Sequence, residues 1–142
     1  MELELEALNL PSDNKRPFVI AGPCSAETEE QVMTTARQLA QKGCHMFRAG
    51  VWTPRTKPGG FEGNGEPALK WMAEAKKETG MMMCTEVATP DHVELAMKYG
   101  IDLMWIGART SANPFAMHFQ PLHRHSLNIL HPHQERQGYQ HL

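Results

Sequence analysis

From residue 18 onward, short apolar runs alternate with longer segments in which apolar residues recur every three or four positions. Short apolar runs are typical of buried strands, and the wider spacing is typical of amphipathic helices. Because the two patterns alternate, we expect βα repeats that build a parallel sheet. The predicted strands are 18–21, 44–48, 81–85 and 103–106.

Capping residues mark the ends of the helices that separate these strands. Thr28 begins a capping box, so a helix is predicted from there to about residue 42. A second helix is predicted over 66–79, where a glycine closes it. The third begins at the cap Thr89 and ends at Gly100. Each helix therefore joins one predicted strand to the next.

Polar or charged side chains lie at or just after every predicted strand end, and a segment rich in Gly and Pro follows the second strand. A doubly wound sheet and a (βα)8 barrel both fit the alternation, but functional groups at several strand ends favour the barrel. A thiol among arginines suits a metal-assisted reaction on phosphorylated substrates. The side chains concerned are Cys24, Arg48, Arg55, Lys57, Glu86 and Arg109.

Length and charge narrow the class of protein. The 142 residues fit one domain, and a net charge of -2 argues against a nucleic-acid partner. No apolar run approaches the roughly 20 residues of a membrane span. The acidic N-terminus lacks the features of a signal peptide, so we predict no membrane partner and a cytoplasmic location.

The composition changes abruptly after Met117, and six of the eight histidines lie beyond it. A (βα)8 barrel needs about 250 residues, whereas only four strands are predicted here. We therefore expect an N-terminal extension over 1–14, a partial barrel over 15–117 and an irregular tail over 118–142. A shifted reading frame and a genuine His-rich extension both explain the tail.

Four segments together resemble the DAHP synthase/KDO-8-phosphate synthase family (DAHP is 3-deoxy-D-arabino-heptulosonate 7-phosphate). The resemblance covers about residues 15–117, and the Pro-Arg-Thr sequence at 54–56 favours the DAHP synthase branch. The matching segments are AGPCSAE at 21–27, FRAGVWTPRTKPGGFEG at 47–63, TEVATPDHVELA at 85–96 and DLMWIGARTSANPFAM at 102–117.

This resemblance implies the first four βα units of a (βα)8 barrel and a transferase reaction. The family condenses phosphoenolpyruvate with erythrose 4-phosphate to DAHP and phosphate, the first step of the shikimate pathway of aromatic amino acid biosynthesis. Carbon 3 of phosphoenolpyruvate attacks the aldehyde, water adds at carbon 2 and phosphate leaves. A divalent metal (Mn, Fe, Co or Zn) polarises the aldehyde.

The resemblance also implies residue roles. Cys24 would be a metal ligand. Arg48, Arg109 and the backbone N–H of Ala108 would bind phosphoenolpyruvate, and Arg55 and Thr56 would bind the phosphate of erythrose 4-phosphate. Lys57 and Glu86 would line the pocket.

Two departures limit what this chain can do by itself. Thr53 stands where the family has a lysine that contacts phosphoenolpyruvate. The family's other metal ligands (His, Glu and Asp) come from later strands, and nothing after Met117 matches them. We therefore expect that this chain does not hold the metal and has little or no activity in isolation.

Other interpretations stay open. Without the resemblance, Cys24 would be typical of a buried structural thiol, and Glu86 of a partner for a nearby arginine. The chain would then be an inactive half-barrel that binds or assembles, with homo-oligomers forming through unpaired edges at the first and fourth strands. A third possibility is metal binding by the tail pairs His123-x-His125 and His131-x-His133.

Overall fold

The computed structural model describes residues 10, 17–52, 61–111 and 128–130, and within them strands and helices alternate as the sequence predicts. The strands are β1 (Ile20–Ala21), β2 (Met46–Arg48), β3 (Met82–Val87), β4 (Leu103–Ile106) and β5 (Asn128–Leu130). The helices are α1 (Glu29–Gln41), α2 (Glu66–Thr79), α3 (Pro90–Lys98) and α4 (Ala108–Ser111).

The helix ends follow the local chemistry of the chain. The Thr28 hydroxyl accepts a hydrogen bond from the N–H of Gln31, while the Gln31 side chain accepts one from the N–H of Glu27. The Thr28 half of the capping box thus forms as expected, whereas the reciprocal bond uses the N–H of Glu27 in place of that of Thr28. Gly80 closes α2 with a φ of 71°. Among the described helices, none is long and apolar enough to cross a membrane.

All pairs of neighbouring strands in the described sheet are parallel, and their order is β1-β2-β3-β4-β5. A doubly wound sheet reverses its order at a switch point, and this sheet does not. Strand β3 is two residues longer than predicted at its carboxyl end. Glu86 and Val87 pair with Trp105 and Ile106 of β4, so Glu86 lies inside the strand and not after it.

The prediction of a wholly irregular tail is wrong at 128–130. These residues form β5 and pair in parallel with β4, from Leu103 opposite Asn128 to Trp105 opposite Leu130. Backbone N–H and C=O groups along a strand require partners, and β5 supplies them to β4. The fourth strand is consequently not an edge of the sheet, contrary to our expectation.

The helices α1, α2 and α3 all pack on one face of the sheet. Their buried residues join the inward residues of β2, β3 and β4 in one apolar core. The opposite face, which we call the open face, has a smaller apolar cluster whose rim is only partly buried. Core residues beneath the helices include Val32, Leu69, Met72, Phe47, Met83 and Met104; the open face has Met46, Cys84 and Leu103, with Leu10, Phe18, Met82 and Trp105 around them.

Candidate functional site at the carboxyl ends of the strands

The carboxyl ends of parallel strands lie at one edge of a sheet, so residues that close different strands come together there. Arg48 ends β2, Glu86 lies next to the last residue of β3, and Gly107 follows β4. Cys24 lies in the loop after β1. The structure thus brings residues from the ends of four consecutive strands to the same edge of the sheet.

The loop after β1 is held against the end of β2. Gly22 has a φ of 151°, and a β-carbon on it would overlap the carbonyl group of Arg48. Further along the loop, the N–H of Ala26 donates to the carbonyl oxygen of Gly50 at 2.9 Å. Cys24 is exposed between these two anchors, so it is not a buried structural thiol.

Arg48 extends over the open face of the sheet. Its guanidinium carbon lies 5.1 Å from the centroid of the Trp105 ring, which is a cation–π distance. Its Nε is buried and has no hydrogen-bond partner among the described residues. Buried donors are nearly always paired in folded proteins, so this N–H marks a position where a ligand acceptor would fit.

Cys84 lies on the same face, opposite Arg48 in the strand register. Burial raises the pKa of its thiol to about 12, and the positive charge of Arg48 only partly opposes that effect. The thiol is therefore neutral near pH 7. Cys84 is therefore an apolar member of the buried cluster on this face, and it does not neutralise the positive charge of Arg48.

Glu86 and Gly107 meet at the ends of β3 and β4. A β-carbon at Gly107 would overlap the Glu86 carboxyl group where it now lies, so the missing side chain of Gly107 permits this close approach. Ala108 follows directly and is exposed. The backbone of Arg109 lies in α4, immediately after this contact. The structure therefore places the Glu86 carboxylate beside the turn that leads to Arg109.

The two ends of the connection from β2 to α2 lie next to each other at the carboxyl ends of the strands. The N–H of Gly65 donates to the carbonyl oxygen of Val51 at 2.9 Å. The Asn64 amide donates to the carbonyl oxygens of Ala26 and Glu27 at 2.8 and 3.0 Å. Both ends of this connection are thus tied to the loop that carries Cys24. The predicted site residues within it, Arg55, Thr56 and Lys57, lie outside the described residues.

Sequence reasoning missed a ring stack beside this connection. Trp52 and His92 lie with ring centroids 3.9 Å apart and planes 4° from parallel. The Nδ1 of His92 accepts a hydrogen bond from the N–H of Ala88, and burial lowers the pKa of the ring. The stack joins the end of β2 to the start of α3. The only sequence signal was an aromatic residue directly before the Gly- and Pro-rich segment.

The described residues do not form a metal centre. No three His, Cys, Asp or Glu side chains among them are close enough to share a metal ion. Cys24 offers one donor, whereas metal sites normally need three or four protein ligands. Our expectation that this chain does not hold the family's metal stays a prediction.

This architecture is that of an α/β protein with a sequentially ordered parallel sheet, and the candidate site lies at the carboxyl ends of its strands. The sequence model of the DAHP synthetase I family matches residues 6–119. The phospho-2-dehydro-3-deoxyheptonate aldolase of Thermotoga maritima is 40% identical over 95 residues, which are 67% of this chain and 28% of that protein.

Two solved structures from Thermotoga maritima are also similar. The crystal structure of its DAHP synthase has 38% sequence identity and a TM-score of 0.59, over 66% of this chain and 27% of that one. A truncated form of the synthase has 33% identity and a TM-score of 0.54, over 66% and 31%. The chain belongs to the DAHP synthetase I family. It spans less than a third of the length of these relatives.

Proposed function

We propose that this chain carries the first part of the active site of a 3-deoxy-7-phosphoheptulonate synthase, which makes DAHP and phosphate from phosphoenolpyruvate and erythrose 4-phosphate. The observation that carries the proposal is the position and hydrogen bonding of the Arg48 side chain. Its side chain lies at the carboxyl end of β2, in a segment that matches the family, and its buried Nε has no partner among the described residues. Such a cation suits a substrate that carries two anionic groups, a phosphate and a carboxylate.

We also propose that residues 15–117 form the first βα units of a (βα)8 barrel, after an extension over 1–14 and before a tail over 118–142. Two observations support it. The strand order runs in sequence without reversal, and the helices α1, α2 and α3 cover one face only. Parallel sheets bury both faces, so the open face requires a cover. In a closed barrel that face would be the interior.

For phosphoenolpyruvate, we propose binding by Arg48, Arg109 and the backbone N–H of Ala108. The substrate carries a phosphate and a carboxylate, so it requires several donors, and arginine presents a planar fork that matches either group. The Glu86 carboxylate lies against Gly107 and would line the pocket.

For erythrose 4-phosphate, we propose that Arg55 and Thr56 bind the phosphate, with Lys57 nearby. Support comes from the described ends of the connection that carries them, because Asn64 and Gly65 tie it to the strand ends. The two substrates would then meet at one edge, where carbon 3 of phosphoenolpyruvate can attack the aldehyde. Water adds at carbon 2 and phosphate leaves.

Cys24 is proposed as a thiolate ligand for the family's divalent metal, whether Mn, Fe, Co or Zn. The thiol is exposed at the strand ends, where a metal ion could reach it. The other ligands would have to come from outside the described residues. A cytoplasmic location fits a biosynthetic enzyme that takes phosphorylated substrates.

A second candidate function is association with another chain. Val19 and Ile20 at the β1 edge are 44% and 36% exposed, which is unusual for apolar residues of a parallel sheet. Pairing of copies through this edge would cover them. Sedimentation of a strictly monomeric, folded chain would exclude this proposal. The tail histidines proposed for metal binding lie outside the described residues.

Isothermal titration of the two substrates tests the main proposal. We expect Arg48→Ala to weaken phosphoenolpyruvate at least about tenfold, as expected for loss of a charge-assisted hydrogen bond, and to spare erythrose 4-phosphate. Arg55→Ala should do the reverse. Arg37→Ala is the matched control, because Arg37 pairs with Glu78 on the helical surface.

Equal losses for both substrates in both variants, or no binding of phosphoenolpyruvate by the wild-type chain, would contradict the proposal. Phosphate release can be measured in the same samples with Mn²⁺ added. We expect little or none from this chain by itself. Metal-dependent release that requires both substrates would overturn that expectation and show that the chain is sufficient.

A further inference from the structure

Trp105 is not among the residues proposed to bind the substrates, yet its ring contacts Arg48, the arginine on which the proposed function depends. It lies on β4, and its register partner on β3 is Glu86. Its ring packs at the rim of the open-face cluster of Met46, Cys84 and Leu103. Buried apolar side chains thus pack against the indole, and this packing limits the rotation of the ring.

The strand register shows how far Arg48 reaches. Arg48 on β2 pairs with Cys84 on β3, and Cys84 pairs with Leu103 on β4. Trp105 lies two residues beyond Leu103, towards the carboxyl ends of the strands. The arginine side chain must therefore cross β3 diagonally to bring its guanidinium within 5.1 Å of the ring centroid. This path carries the positive charge towards the edge where the substrates would bind.

The ring holds this charge without occupying the Nε donor. At Arg37, by contrast, Nε donates to the Glu78 carboxylate at 2.6 Å and a terminal nitrogen donates at 3.0 Å. An aromatic face attracts the cation through its quadrupole and accepts no conventional hydrogen bond from Nε at this site. The Nε of Arg48 is accordingly buried and still without a partner among the described residues.

We infer that Trp105 is a positioning residue that holds the Arg48 guanidinium over β3 so that its donors face an anionic group of the substrate, the phosphate or carboxylate of phosphoenolpyruvate. This inference rests on the proposed function for the identity of the anion. The contact between ring and guanidinium does not depend on it and can be tested without any substrate.

The first experiment uses the ligand-free chain. A side-chain N–H that lies over an indole is shifted upfield in the proton NMR spectrum by the ring current. We expect the Arg48 Nε–H resonance to move downfield in Trp105→Leu and to stay near its wild-type position in Trp105→Phe, which retains a ring. An unchanged resonance in Trp105→Leu would overturn the inference, whatever the substrate proves to be.

The second experiment measures substrate affinity by titration calorimetry. Loss of a partly desolvated cation–π contact predicts that Trp105→Leu weakens phosphoenolpyruvate about fivefold to thirtyfold. Trp105→Phe should stay within about twofold of wild type, and both variants should bind erythrose 4-phosphate normally. Trp71→Phe, on α2 where the ring is partly buried against the core, is the matched control and should change neither affinity.

The possible outcomes separate the two proposals. A ring-current shift together with no phosphoenolpyruvate binding by the wild-type chain would refute the proposed function and, with it, a role for Trp105 in holding that substrate's site. Binding that is unaffected by Trp105→Leu would refute the positioning role alone. Equal losses for both substrates would also refute it, because they would indicate a general structural defect.

Discussion

Gly22→Ala should disrupt the loop that carries Cys24, because two separate constraints act on this position. The residue has a φ of 151°, a value that residues other than glycine rarely adopt. A β-carbon there would also stand 2.9 Å from the carbonyl carbon of Arg48, and nearer still to its oxygen. The clashing atoms belong to the backbone of β2, which cannot move away as the end of a flexible side chain can.

The cost can be estimated from these two terms. A backbone conformation that the new residue disfavours costs about 1–3 kcal/mol. Forcing extra volume into a packed site costs about 1–3 kcal/mol more. We therefore expect the free energy of unfolding to fall by about 2–6 kcal/mol, a large part of the roughly 5–15 kcal/mol of a typical domain.

Urea unfolding followed by tryptophan fluorescence measures this loss. Gly43→Ala is the matched control, because Gly43 also has a positive φ of 74° but a β-carbon on it meets no atom within 4 Å. Only the conformational cost of about 1–2 kcal/mol applies there. With an m-value of about 2 kcal/mol per molar, the added steric cost of about 1–3 kcal/mol should separate the two urea midpoints by about 0.5–1.5 M. Equal midpoints would refute the steric argument.

Three further predictions concern pH, thiol reactivity and an ion pair. Burial lowers the pKa of His92 below its ordinary 6.5, so its contribution to stability is complete above about pH 6.5 and is lost as the pH falls below that value; the urea midpoint should record the loss. Cys24 is exposed and should react quickly with an aromatic disulfide reagent at pH 8, whereas buried Cys84, with a pKa of about 12, should react only on unfolding. Asp102→Ala should cost about 2–4 kcal/mol, because the carboxylate pairs with Lys76 at 2.7 Å and also accepts a backbone hydrogen bond.

Each of these has a control within the chain. His92→Phe keeps a ring against Trp52 but cannot titrate, so an identical pH dependence in this variant would exclude His92 as the source. Cys24→Ser should abolish the fast thiol reaction, and a fast phase that survives would show that another thiol is accessible. Lys77→Ala removes an exposed pair with Glu74 and should cost no more than about 0.5 kcal/mol; a loss as large as that of Asp102→Ala would contradict the argument.

Helix ends were predictable because their signals are local. The Thr28 cap, the glycine after α2 and the Thr89 cap each act within a few residues, and all lie where the sequence placed them. The carboxyl end of β3 was not predictable in this way. A charged residue, Glu86, interrupts the apolar run, and only pairing with β4 keeps it in the strand.

The remaining discrepancies all arise from contacts between distant parts of the chain. Strand β5 has three residues, too few to show a period, and it forms because β4 offers it backbone partners. The stack of Trp52 on His92 and the contact of Arg48 with Trp105 join residues from different strands and helices. Sequence motifs predicted Cys24 and Arg48 at the strand ends, but they did not show that the ring of Trp105 packs against the Arg48 guanidinium.

The most direct test of the proposed site is a residue-resolved map of amide chemical shifts as phosphoenolpyruvate is added to the isotope-labelled chain. We expect saturable shifts at the amides of Arg48, Gly107 and Ala108 and at the Trp105 indole, all reversed by excess inorganic phosphate. Amides at the opposite edge of the sheet, such as Gly43 and Gly80, should not move. Shifts confined to that opposite edge, or none at any substrate concentration, would contradict the assignment of a phosphoenolpyruvate site to these strand ends.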